Sequence, residues 1–124
     1  MQGPFFGTVI HGLHNGEGFG FPTANIQLEN PEDIELGVYA VTLLVDQLSL
    51  KGMMYVGTRP TLNLSELSLE IHLFDFKGDL YGKSVSFIIV DKIRDEERFN
   101  STDELIQQLY LDKQAAIQLL NSIK

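Results

Sequence analysis

Residues 67–76 read LSLEIHLFDF, and their order is that of a strand with two different faces. Leu67, Leu69, Ile71 and Leu73 occupy every second position, and Ser68, Glu70, His72 and Phe74 fall between them. Successive side chains of a strand point to opposite sides, so the four aliphatic residues make one apolar face. The other face carries a carboxylate and an imidazole. A solvated exterior carboxylate is the ordinary reading of Glu70. A general base beside a ligand cleft is the other, with His72 on the same face as an alternative base.

Outward from this strand, four more runs are rich in β-branched and aromatic residues. They are Phe5 to His11, Val38 to Val45, Leu50 to Gly57 and Ser84 to Ile93. Asp46-Gln47 reads as a turn, TRPTLNLSE (58–66) as an exposed loop with a proline anchor, and KGDLYGK (77–83) as another turn. ENPEDIELG (29–37) is an acidic surface loop. Connections this short favour antiparallel pairing, since parallel neighbours need long crossovers. Five or six strands with no open edge to spare point to a small barrel. The C-terminal segment is different: Leu105, Leu109, Ala116 and Leu120 recur at helical intervals. Ser101 and Glu104 form a capping-box pattern at its start, where Asp103 and Glu104 also suit the positive helix end. A helix packed on the barrel completes the expected architecture.

Composition bounds the function. The chain has 124 residues, enough for one domain with a real core. Nine basic against seventeen acidic residues give a net charge of −8. Without a cluster of Lys and Arg, nucleic-acid binding is disfavoured. There is no cysteine, hence no disulfide framework, zinc-thiolate site or thiol nucleophile. No apolar run has bilayer length and no signal-peptide pattern opens the chain, so a cytoplasmic protein without membrane attachment is expected.

The stretch NGEGFGFPTANI (15–26) holds the remaining chemistry. It lacks the lysine of a phosphate-binding Walker loop, and its glycine spacing is not that of a dinucleotide fingerprint. The glycines alone read as a flexible connection. Thr23 and Asn25, however, sit two apart after Pro22, so in an extended segment both side chains point the same way. A hydroxyl and an amide carbonyl are hard oxygen donors suited to Mg²⁺ held mainly by phosphates and water. A side-chain turn that closes the loop explains the same residues, and both readings stand at this level. In DKIRDEERFNS (91–101), most charges read as solvated; Arg94 and Phe99 could border a ligand, by charge and by stacking.

Together these elements resemble riboflavin kinase, found alone in eukaryotes and as the C-terminal half of bacterial bifunctional FAD synthetases. GTVIHG, GFPTANI, GVYAV, VGTRPT, LEIHLFDFKGDLYG and IRDEERFNSTDELIQQLYLD carry the resemblance over nearly the whole chain. It implies a mainly β fold, a six-stranded antiparallel Greek-key barrel with a C-terminal helix. It implies transfer of the γ-phosphoryl of ATP to the ribityl 5′-hydroxyl of riboflavin, giving FMN and ADP. By the same resemblance Thr23 and Asn25 hold Mg²⁺, and Glu70 is the base. Gly12, Gly16, Gly18 and Gly20, with Pro22 and Thr23, belong to the ATP-binding loop, and Tyr81 lies near the nucleotide. Asn25, Glu70, Arg94 and Phe99 border the flavin. The sequence departs from the family at Glu17 and Gly18, where an arginine is usual. A catalytically weak module that binds flavin or nucleotide is therefore the alternative. The start MQGPFF resembles that of the kinase half, so the expectation is a single domain, 1–124, excised from a longer chain with an N-terminal FMN adenylyltransferase domain.

Overall fold

The computed structural model describes residues 2–10, 23–30, 33–60, 65–76 and 78–122. They form six strands and a helix: β1 (Gln2–Ile10), β2 (Ala24–Leu28), β3 (Gly37–Val45), β4 (Leu48–Pro60), β5 (Ser65–Leu73), β6 (Ser84–Arg94) and α1 (Thr102–Asn121). The strands close into a barrel in the order β1-β2-β5-β4-β3-β6, and all the pairs are antiparallel. β3, β4 and β5 form a meander, and β6 returns to lie beside β3, which is the Greek-key arrangement. Closure removes the free edges that an open sheet would expose.

Two points of the sequence reading change. The TRPTLNLSE segment is not wholly a loop, because Thr58 pairs with Leu67 and the ladder continues to Pro60 opposite Ser65. Pairing with β5 satisfies backbone groups that an exposed loop would leave to water. Within NGEGFGFPTANI, Ala24 begins a strand of its own, whose Asn25 and Ile26 pair with β1 and β5. The Asp46-Gln47 turn is present as a two-residue hairpin with positive φ at both positions, 49° and 70°. This turn type matches the twist of the flanking strands.

Alternation along the strands separates two cores. The barrel interior holds Val9, Ile26, Val41, Leu43, Met54, Val56, Leu69, Ile71, Val85 and Phe87. Outside the wall, Ala116 and Leu120 of α1 pack on Ala40, Met53 and Phe74. Leu109 joins this second core at its margin. Ser101 caps the helix: its Oγ accepts the Glu104 N–H at 3.2 Å. Glu104 reaches back one residue further than a capping box requires, and accepts from the Asn100 N–H at 3.1 Å. No helix among the described residues is long and apolar enough to cross a membrane.

Candidate active site

A single cross-strand row sets out the site. Ile10 pairs with Asn25, Asn25 with Glu70, Glu70 with Tyr55, Tyr55 with Val38, and Val38 with Arg94. One residue of each strand thus lies at the same level. The intervening residues Ile26, Leu69 and Val56 fill the barrel interior, so this row belongs to the outer face. Met53 and His72 form the next pair along on that face.

Glu70 and His72 nevertheless are only 6% and 7% exposed. The solvated reading of Glu70 fails because the chain after β6 and the start of α1 cover this part of the wall. Alternation specifies which side a residue faces, not what lies over it. Between the wall and its cover is a cleft of about 690 Å³, within the range of small-molecule sites. Thr23, Val38, Met53, Tyr55, Glu70 and His72 line the barrel side. Glu97, Phe99, Asn100, Ser101 and Thr102 line the opposite side, with Leu105 and Leu109 of the first helical turns. The lining combines polar groups, Thr23, Glu70 and His72 on the wall and Glu97, Asn100, Ser101 and Thr102 on the cover, with aliphatic and aromatic surface from Val38, Met53, Phe99, Leu105 and Leu109.

Asn25 is 3% exposed, and its Nδ2 has no hydrogen-bond partner among the described residues. A buried amide donor left in that state is costly in a finished core. Burial pushes the Tyr55 phenol above its ordinary range, Glu96 adds to the shift, and Arg94 opposes it. Phe74 lies just past β5, with its ring edge-on to His72 at 5.6 Å.

Of the residues singled out in the sequence, Thr23, Glu70 and Phe99 share this cleft, and Asn25 lies beside Glu70 in the ladder. Arg94 does not line it. Its guanidinium is held by Asp112 of α1, with Nε to Oδ1 at 2.9 Å and Nη2 to Oδ2 at 2.9 Å. Tyr81 is exposed in the turn before β6, where its N–H donates to Asp79. Gly12, Gly16, Glu17, Gly18, Gly20 and Pro22 lie outside the described residues. Several lining residues, Tyr55 among them, are not singled out by the sequence, nor is Asp112, which holds Arg94. Tyr55 carried no signal beyond a strand position. Asp112 did, because it occupies the place between Leu109 and Ala116 where the apolar stripe calls for another apolar side chain.

A family model for riboflavin kinase (Flavokinase) matches residues 4–120. The chain belongs to the riboflavin kinase family. It is 42% identical over 111 residues to the bifunctional riboflavin kinase/FMN adenylyltransferase of Escherichia coli K12, covering 89% of this chain and 36% of the relative. It is 40% identical over 107 residues to the RNA-binding riboflavin kinase RibR of Bacillus subtilis, covering 86% of this chain and 46% of that one. The chain thus spans less than half the length of these relatives. Among solved structures, the riboflavin kinase of Trypanosoma brucei superposes with a TM-score of 0.64 at 25% identity, covering 97% of this chain and 82% of that one. The riboflavin kinase fold, a six-stranded antiparallel barrel with one C-terminal helix, is therefore common to both.

Proposed function

We propose that this chain transfers the γ-phosphoryl group of ATP to the terminal ribityl hydroxyl of riboflavin, giving FMN and ADP, with Glu70 as the base. The observation that carries this reading is a buried carboxylate, Glu70, in the wall of a cleft that also offers aliphatic and aromatic surface. Such a cleft suits a ligand with a planar aromatic part and a hydroxylated tail. The ring system would lie against Phe99, Leu105, Leu109 and Met53, and the tail would reach Glu70. The Glu70 carboxylate would accept the hydroxyl proton as the ribityl oxygen bonds to the γ-phosphorus and the bond from that phosphorus to the β-phosphate oxygen breaks. The barrel wall fixes Glu70 from both sides through its pairing with Asn25 and Tyr55, which holds it in one position for the incoming alcohol.

Thr23 and Asn25 fit a magnesium ion carried in with ATP. Both offer neutral oxygens and they lie two residues apart where the chain enters β2, while the unpartnered Asn25 Nδ2 is a donor that would suit a phosphate or ribityl oxygen beside the ion. When bound, Mg²⁺ would neutralise charge on the phosphates, which neutral ligands leave to the nucleotide and water. We assign the glycine-rich segment with Gly12, Gly16, Gly18 and Gly20 to the phosphates by its sequence, with backbone N–H groups as donors. In a longer gene product like the Escherichia coli relative, an FMN adenylyltransferase would consume the FMN made here.

The test is incubation with riboflavin, ATP and Mg²⁺ and separation of products by chromatography. FMN is expected from the native chain. Glu70→Gln keeps the shape and is expected to fold normally while turnover falls by roughly 10²–10⁴-fold. Full turnover in that variant would remove Glu70 from the base role. Riboflavin binding without FMN from the native chain would support the weak binding module instead.

A further inference from the structure

We propose that Asp112 and Arg94 are positioning residues for the riboflavin-binding wall, and that Arg94 acts through Phe99 and not by touching the ligand. This rests on the riboflavin kinase reading of the cleft. Asp112 is 1% exposed, and the Arg94 side chain 13%. Both carboxylate oxygens are used: Oδ1 accepts from Arg94 Nε at 2.9 Å and from Gln108 Nε2 at 2.9 Å, and Oδ2 from Arg94 Nη2 at 2.9 Å. Arg94 Nη1 donates to the Asp95 carbonyl at 3.1 Å, so the same guanidinium also fixes the backbone as it leaves β6. The plane that remains lies over the Phe99 ring, 5.5 Å from its centroid.

The geometry makes a chain of contacts from the helix to the cleft. Asp112 lies three residues, about one turn, beyond Leu109, which lines the cleft, and it occupies the apolar-stripe position between Leu109 and Ala116. It orients Arg94 with a two-pronged grip that a lysine could not accept. Arg94 in turn backs Phe99, which faces the ligand space. A charged residue in an apolar stripe is a poor way to gain stability, since a packed apolar pair often serves as well or better. It is a good way to fix the orientation of one ring.

The test separates stability from positioning. Arg94→Met, Asp112→Asn and the double variant Arg94→Met/Asp112→Leu are compared for riboflavin Kd by flavin fluorescence, for KM and kcat, and for thermal melting. The double variant fills the buried space with apolar atoms and recovers melting temperature if the fold was the only loss. We expect Kd and KM for riboflavin to rise about tenfold in all three variants, the size of a strong contact coupling. The KM for ATP and kcat should stay within about threefold. Adding Phe99→Leu to the double variant should cost little more. A double variant with native riboflavin affinity overturns the proposal. So does a loss in Arg94→Met that Asp112→Asn does not share, which would make Arg94 a direct ligand contact. A native chain that binds riboflavin but makes no FMN sinks the kinase reading alone, because the Kd comparison still stands. A native chain that does not bind riboflavin overturns both.

Discussion

Holding a carboxylate nearly out of water, as the wall does at Glu70, costs free energy that only hydrogen bonds or charge partners offset. The alternation of residues 67–76 identified Glu70 and His72 as sharing a face, which the ladder bears out. It could not show that the face is covered, because the cover comes from residues near 97–109, distant in sequence. Arg94 shows the same limit from the other side. Its charge was legible, but its partner Asp112 is fixed by tertiary packing. A nearby exposed cluster gives a pH test. Lys92 bonds to Asp95 and Glu35, and these carboxylates hold its ammonium above the ordinary lysine range. Lys92 in turn holds the Asp95 carboxyl below the ordinary carboxylate range. A lowered carboxyl contributes stability above its unfolded-state pKa, and loses it as pH falls through the folded value. A raised lysine contributes at all lower pH and loses it only at strongly alkaline pH. Lys92→Met should therefore melt below the native chain at pH 7, with the gap narrowing as pH falls through the acid range. A gap that is constant from pH 7 to acid would show that Asp95 gains nothing from Lys92.

The helix was the element most legible in sequence, and its cap shows why. A Ser followed three residues later by Glu is a local signal whose partners are backbone groups of the same turn. Ser101 accepts the Glu104 N–H as expected, and only the reach of Glu104 to Asn100 differs. Ser101→Ala should cost about 1 kcal/mol, read as a lower urea midpoint at unchanged slope. Ser101→Asp should recover most of that, since aspartate caps as well and favours the positive helix end. Equal midpoints for Ala and the native chain would mean that the packing of Ala116 and Leu120 alone sets the helix start. The strands were less exact in their bounds. The extension of β4 to Pro60 and of β5 back to Ser65 comes from pairing between segments, which polar and proline-containing sequence conceals.

Closure of the barrel is a property of the whole chain, and it makes Phe87 the place to test it. Its ring is fully buried at the centre of the interior and stacks on Phe5 at 5.3 Å, which joins β6 to β1 where the barrel shuts. Short connections and a shortage of edges implied a barrel, but the order of strands around it depends on β2 and β6 crossing over, and neither crossing has a local signature. Phe87→Ala should cost about 3–5 kcal/mol, a large part of the 5–15 kcal/mol that such domains possess. Phe6, next in sequence to Phe5, sits on the outer face and is exposed, so Phe6→Ser should change stability by no more than about 0.5 kcal/mol. Urea unfolding checks both. At temperatures where Phe87→Ala is still folded, its riboflavin KM should match that of the native chain, because the cleft lies on the other side of the wall. A loss below about 1 kcal/mol would show that the interior closes around the missing ring. A raised KM at native-like folding would show that the interior packing, and not only the Arg94–Asp112 pair, sets the shape of the cleft.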